Sequence, residues 1–567
     1  MPFTLDADLL AGPFLAAFGA MDWVVLGIYL LAMIVIGLVA ARHEKGATEF
    51  FLASRSLPAW VLAISIVGSS LSNVTFIGAP DAAYSGNLSY LILNIGGFIG
   101  VFIVGFLFVP KLYQAGTVTV YGYLQQRFGE ASRMSVSGMF LFGRMLASGS
   151  RLMLAAVPLC LLVFGLKQPE QWQMIMAIIV IGFVGTFYTV FGGIKAVVWV
   201  DLIQFALVVG AALLSIGLLI HKTPADLGTI VKVLTEPGTT PDGGSKLRIL
   251  DMSWDLAKPY TLWTALFGAT FLSVASLGVD QDLAQRFLVA KSPGRGALTV
   301  IASQFVSIAT VSLFMIIGVL LYIYYRRPDV MGALAPSYRP GENEAAYQQF
   351  LMMELPPIVS GLAIAGLFAA AQGTMDSAIN AMASSAVADL YWPIRKRLGY
   401  EVDPNAVADA PRIAVALIGT IMTGFAIVCV YLYDPKHKSF LDFALGVMTF
   451  AFSGMLAVFL TALFTRRGNT ASVLAALLAG VVVVALLQDG VYGRWAPVVY
   501  EWWTGRAPAG RLSLAWPWWM PIGTTISFLI CIAGSPPGRK RTGEEDAFRQ
   551  PQGRQLFIEP MEQREHI

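Results

Sequence analysis

The chain has 567 residues, of which 56% are hydrophobic and only 13% charged, with a formal net charge of +3. Its mean hydropathy of +0.68 excludes an ordinary soluble domain and marks an all-α polytopic membrane protein. The small net charge gives no reason to expect a nucleic-acid partner.

A helix needs about 20 apolar residues to cross the hydrocarbon core. Thirteen such runs follow one another, at 22–41, 58–83, 88–110, 134–166, 170–192, 195–220, 260–279, 296–325, 356–391, 411–432, 440–464, 470–487 and 514–534. The twenty residues up to Ala20 lack a basic n-region and are not read as a cleaved signal peptide. Span two holds IVGSSLSNVTFIGAP, residues 66–80, where Gly68, Ser69, Ser70, Ser72, Asn73, Thr75, Gly78 and Pro80 break the apolar run. Span seven holds GATFLSVASLGVDQD, with Gly268, Ser273, Ser276, Gly278 and Asp280.

Transporters bind solutes where helices are interrupted, because an unwound turn frees carbonyls and half-helix ends for the ligand. The two interruptions lie five spans apart, the offset expected of an inverted repeat of two five-helix units. Small residues also line close helix contacts in any bundle, so packing is the competing explanation for each span alone.

Span four, FLFGRMLASGSRLMLAAVP, carries Arg144 and Arg151 seven residues apart on nearly one face. A buried guanidinium needs an anion, either a substrate carboxylate or an internal Asp at 280, 282 or 376. Asp282 and Arg286, four apart, read as an ion pair at the inner end of the helix. Span nine places Gln372, Thr374, Asp376, Ser377 and Asn380 in a helix otherwise rich in Ala and Met. A carboxylate at membrane depth costs several kcal/mol and by default marks a functional site.

Basic residues collect after odd-numbered spans, as in Arg42 and Lys45, Arg395 to Arg397, and Arg466 and Arg467. That pattern puts the N-terminus outside and the C-terminus in the cytoplasm, and the protein is expected in the cell's inner (plasma) membrane. Trp502, Trp503, Trp516, Trp518 and Trp519 are expected in an outer aromatic belt. The outer loops near 221–258 and 326–355 are expected to hold only local helices, and the polar tail from about 535 is too short for a signalling domain. A transporter-like membrane sensor is therefore disfavoured. Cys160, Cys429 and Cys531 read as core residues, with neither metal spacing nor a disulfide framework. His43, His221, His437 and His566 all lie outside the spans, so no enzyme is expected.

YTVFGGIKAVVWVDLIQ at 188–204, DQDLAQRFLVAKS at 280–292, TVTVYGYLQQRFG at 117–129 and SAINAMA in span nine resemble the sodium/solute symporter family. The resemblance runs from span one to about residue 470. It implies about 13 transmembrane helices around a leucine-transporter-type 5+5 inverted-repeat core. The implied divisions are an N-terminal segment with an extra helix at 1–57, a first repeat at 58–220 and an external loop at 221–259. A second repeat at 260–465, two further helices at 466–534 and a tail at 535–567 complete the chain.

The resemblance also implies that sodium is co-transported with a small organic solute, by a protein functional as a monomer in the lipid bilayer. Its principal sodium site maps onto carbonyls of Gly68, Leu71 and Ala370 with residues 373 and 374. Thr374 keeps a hydroxyl, whereas Gly373 stands where the family usually has Ser. A second cation or proton site maps onto Asp201, Asp376 and Ser377, and substrate contacts onto Ser70, Ser72, Thr75, Asn94, Arg151 and Asp280. A polyhydroxylated or carboxylate-bearing solute fits that set. A neutral sugar, polyol or amino acid, and a proton in place of sodium, stay open.

Overall fold

The computed structural model describes residues 19–41, 47–71, 73–164, 170–341, 345–400, 409–432, 440–504, 508 and 512–535. The apolar runs fall on helices. In chain order, α1 is Ala20–Ala41, α2 Ala59–Ser70, α3 Asn73–Ser85, α4 Leu93–Ile103 and α5 Glu130–Phe164. Next come α6 Gln171–Lys222, α7 Thr270–Gly278, α8 Gln281–Val289, α9 Pro293–Arg326 and α10 Val359–Ser385. The last are α11 Asp409–Leu432, α12 Phe440–Phe464, α13 Thr470–Leu487 and α14 Trp519–Ala533. Among the described residues eight helices are long and apolar enough to cross a bilayer, or nine if one bent pair is a single span.

That bent pair is span two. Its first half ends where Leu71 turns extended (ψ 100°), and the segment Thr75–Ser85 leaves at 66° to Ala59–Ser70. Gly and hydroxyl residues make the break cheap, because they lose most in a helix or compete for its backbone. Span seven breaks in the same way. Helix α7 stops at Val279, and α8 starts with Asp280 as its cap, whose carboxylate accepts from the Asp282 N–H at 3.0 Å. Spans five and six are one helical run, α6, bent at Gly193. There φ is 48° and ψ −162°, a conformation that favours glycine.

The start of α10 is fixed from a distance. Ile358 sits at φ 72°, and the Asp22 carboxylate on α1 accepts from Ile358 N, Ser360 Oγ and Gly361 N, each at 2.8 Å. These orphan donors at a helix N-terminus are thus satisfied by another helix. α10 is buried along nearly all its length and packs on α6, α1 and α5. α9 lies against α2 and α3, and α12, α13 and α14 pack together.

The three cysteines are buried, as expected. The tryptophan belt is corrected. Trp502 and Trp503 are 81% and 80% exposed, but Trp516 and Trp519 are buried with Val484, Leu487 and Leu514. Trp518 stacks on Phe267 at 6.2 Å. Indole area here serves a secondary core as well as the surface. Among the described residues the loops near 221–258 and 326–355 carry short helices, Leu227–Thr235, Pro328–Met331 and Ala346–Met353.

Candidate cation and substrate site

The two breaks and α10 meet α5 and α6 in a buried polar cluster. Arg286, on α8, is fully buried and is its hub. Its guanidinium donates to Asp282 Oδ1 at 2.8 Å, Ser69 Oγ at 2.7 Å, Ser377 Oγ at 2.6 Å and Asp201 Oδ2 at 3.3 Å. Ser65 and Ser69 of α2 also donate to Asp201 Oδ2, at 2.5 and 3.2 Å. Ser377 Oγ donates to Asp282. The Asp282–Arg286 pair read from the sequence is therefore present, but its arginine reaches onward to three other helices.

Arg144 of α5 donates to Asp280 Oδ2 at 2.8 Å and to Asp282. It is the internal tie. Arg151, one heptad on, is 9% exposed and makes no ion pair among the described residues. Its Nη2 reaches only Met448 Sδ, at 2.9 Å, and its Nε has no partner.

Asp376 is fully buried without an ion pair among the described residues. It accepts from Tyr188 Oη at 2.6 Å and from the Ser377 N–H at 2.7 Å. Tyr29 Oη donates to Gln372 Oε1 at 2.7 Å and accepts from Gln204 Nε2 at 3.4 Å. Asp201 is fully buried rather than half solvated at an interface.

Of the sodium-site positions, Gly68 and Gly373 face each other. A Cβ built on Gly373 would lie 3.4 Å from the Gly68 carbonyl oxygen, and one built on Gly68 would lie 3.3 Å from the Asp201 carbonyl oxygen. Thr374 Oγ1 donates to the Ala370 carbonyl at 3.1 Å. Leu71 ends α2, its N–H bonded back to Val67.

A separate cavity of about 230 Å³ opens between spans two, three, seven and eight. Ser70, Tyr90, Asn94, Ser273, Ser276, Ser303, Gln304 and Ser307 give it a polar lining, with Trp516 at one side. Gln304 Nε2 donates to Asn94 Oδ1 at 2.9 Å. Of the substrate positions read from the sequence, Ser70 and Asn94 line this cavity, whereas Thr75, Arg151 and Asp280 do not. Ser72 lies outside the described residues.

Sequence reasoning missed Ser65, Tyr188 and Gln204. The signal was at hand, since Tyr188 opens and Gln204 closes the segment YTVFGGIKAVVWVDLIQ.

Two broken helices around buried cation-ready oxygens, beside a polar cavity, define a secondary transporter. The sodium:solute symporter family matches residues 50–480. The chain belongs to that family, whose members couple movement of a solute to sodium. It is 25% identical over 516 residues to the sodium/sialic acid symporter SiaT of Proteus mirabilis, covering 88% of this chain and 97% of the relative. It is 27% identical over 474 residues to the human sodium/iodide cotransporter, covering 82% and 69%. A solved Na⁺-coupled sialic acid symporter in a substrate-bound outward-open state superposes with a TM-score of 0.72 at 22% identity, over 91% of this chain and 98% of that one. That likeness gives the fold, a leucine-transporter-type inverted-repeat core.

Proposed function

We propose that this protein is a sodium-driven importer of a small carboxylate-bearing solute. The observation that carries it is Arg151, a buried guanidinium whose one hydrogen-bond partner among the described residues is a sulfur atom. Burying such a charge without an anion is costly, and a carboxylate matches its planar donor fork. Two relatives are sodium/sialic acid symporters, which fits an acid. The hydroxyl-rich cavity, with Ser70 and Asn94, suits the remainder of a polyhydroxylated molecule. On this reading Asp280 orients Arg144 rather than touching the solute.

Sodium uses Gly68, Leu71, Ala370 and Thr374, and drives import because it favours the conformation that binds the solute. Arg286 already supplies positive charge to Asp201 and Ser377, so the group in the second site suited to carry a proton is Asp376. The protein works as a monomer in the inner membrane, its N-terminus outside; the distribution of basic residues supports that orientation.

The test is uptake into proteoliposomes under an imposed sodium or proton gradient, with competition by a panel of radiolabelled acids and sugars. Acid uptake driven by sodium and lost in Arg151→Met supports the reading. Uptake indifferent to both gradients refutes symport. A second reading, a neutral polyol or sugar, is favoured by the uncharged lining of the cavity among the described residues. It predicts sodium-driven sugar uptake that survives Arg151→Met.

A further inference from the structure

Trp516 alone of the residues lining the cavity comes from the C-terminal part of the chain; among the described residues the rest of the lining runs from Ile66 to Val311. The family match ends at residue 480, so this piece of wall is built by the extra helices beyond it.

Trp516 is 5% exposed, in the short turn Trp516–Trp518 that leads into α14. That turn is clamped to the first half of span seven. Gly268, in the π-helical turn Thr264–Ala269, makes room for it: a Cβ there would lie 2.5 Å from both the Cβ and the carbonyl oxygen of Pro517. The Ala515 N–H donates to the Leu256 carbonyl at 2.8 Å, and Trp518 stacks on Phe267. Trp519 Nε1 donates to the Leu514 carbonyl at 3.2 Å, and the ring of Pro517 holds its φ at about −65°. The indole of Trp516 is thus held at the cavity by contacts on both flanks. Gly268, read from the sequence as part of the break in span seven, serves this close approach instead, since the helix ends only at Val279.

The cavity of about 230 Å³ is smaller than the roughly 300–1,000 Å³ of most ligand pockets, so each wall residue bounds what fits. An indole is large and rigid, with apolar faces. Leu93 and Leu272 also line the cavity and pack on the cluster that holds Trp516, which gives the cavity an apolar side. Ser70, Asn94, Ser303 and Gln304 supply hydroxyls and amides to the same space. A solute with a hydrogen-bonding edge and a C–H face suits that pairing, and the indole limits its length.

We propose that Trp516 is a specificity-determining residue: it closes the solute cavity on the side of the extra C-terminal helices and selects against longer solutes, and Gly268 is the positioning residue that seats its turn. This rests on the cavity being the solute site of the reading above. The competing role is architectural, Trp516 serving only to pack α14.

The experiment is sodium-driven uptake into proteoliposomes of a graded series of acids, glycerate, gluconate and N-acetylneuraminate, with glycerol, sorbitol and lactitol as the uncharged series. The readout is the ratio of KM-normalised uptake of longer to shorter members, which a loss of folded protein does not move. Trp516→Ala is expected to raise that ratio about tenfold, as opening a pocket by a large apolar group does. Trp516→Phe, which keeps a ring, is expected to raise it less, and it decides the matter if Trp516→Ala does not fold. Gly268→Ala keeps the indole but displaces Pro517, and is expected to shift the ratio as well. A ratio within about twofold of wild type in Trp516→Ala and Trp516→Phe, with uptake of every member lowered alike or unchanged, overturns the inference. Wild-type uptake of no member of either series overturns the transport reading instead.

Discussion

The guanidinium of Arg286 lies 3.3 Å from the carboxylate of Asp201, across 85 residues of sequence, with both side chains fully buried. The same guanidinium holds Asp282 and Ser377, so α2, α6, α8 and α10 converge on one side chain. Removing one partner of a buried pair leaves a charge without compensation, which costs about 3–5 kcal/mol. Arg286→Gln is expected to lower the thermal unfolding midpoint in detergent accordingly. A midpoint equal to wild type would show that the hub carries no structural load.

The two arginines of α5 should behave oppositely. Arg144 ties Asp280 and Asp282, and Arg144→Met is expected to lose about 3–5 kcal/mol in the same unfolding measurement. Arg151 has no carboxylate partner among the described residues, so Arg151→Met should leave the midpoint unchanged or raise it while removing acid uptake. Equal destabilisation by both would assign Arg151 to architecture.

Asp22 caps α10 through three donors at 2.8 Å. Losing a side-chain cap costs about 0.5–2 kcal/mol, and Asp22→Ala should fall at the upper end because the acceptor is charged. Asp22→Asn, which keeps an acceptor, should lose less. Hydrogen exchange at residues 358–361 reports the cap directly, and unaltered exchange in Asp22→Ala would contradict it.

Lys246, in the loop between α6 and α7, donates to the carbonyls of Ala83, Tyr84 and Gly86 at the end of α3. Burial, assisted by Arg326, pushes its ammonium down from the usual 10.5 to about 8. Between about pH 8 and 10.5 the unfolded chain holds this proton and the native chain has released it. Stability must therefore rise with pH across that window, the cost of the buried charge being fully present below it. The unfolding midpoint of Lys246→Met relative to wild type, followed from pH 7.5 upward, should decline steadily. A constant difference would mean that the lysine titrates normally.

Much of the fold was legible in the chain alone. Hydropathy located the helices, and the interruptions at Gly68 to Pro80 and at Gly278 to Asp280 marked both broken spans. Those signals are local: a break is written in the residues that break. The costly carboxylate Asp376 was likewise visible, since its price depends on depth in an apolar run and not on its neighbours. The arginine of the sequence-local pair Asp282–Arg286 was visible as half of an inner-end ion pair, but not as the hub of the site.

What the tertiary structure decided is which partner each buried group took. Asp376 went to Tyr188 instead of an arginine, Arg144 went to two aspartates, and Arg151 to the Met448 sulfur. Trp516 and Trp519 left the expected belt for a core. A sequence lists donors, acceptors and charges but not the distances between helices far apart in the chain. Coulomb and hydrogen-bond energies fall off within a few ångströms, so pairing is settled only when the helices pack. Gly373 shows both halves of this: the missing side chain is read from the sequence, whereas Gln204 Oε1 and Asp201 Oδ1, without a hydrogen-bond partner among the described residues, come to face it only once α6 lies against α10.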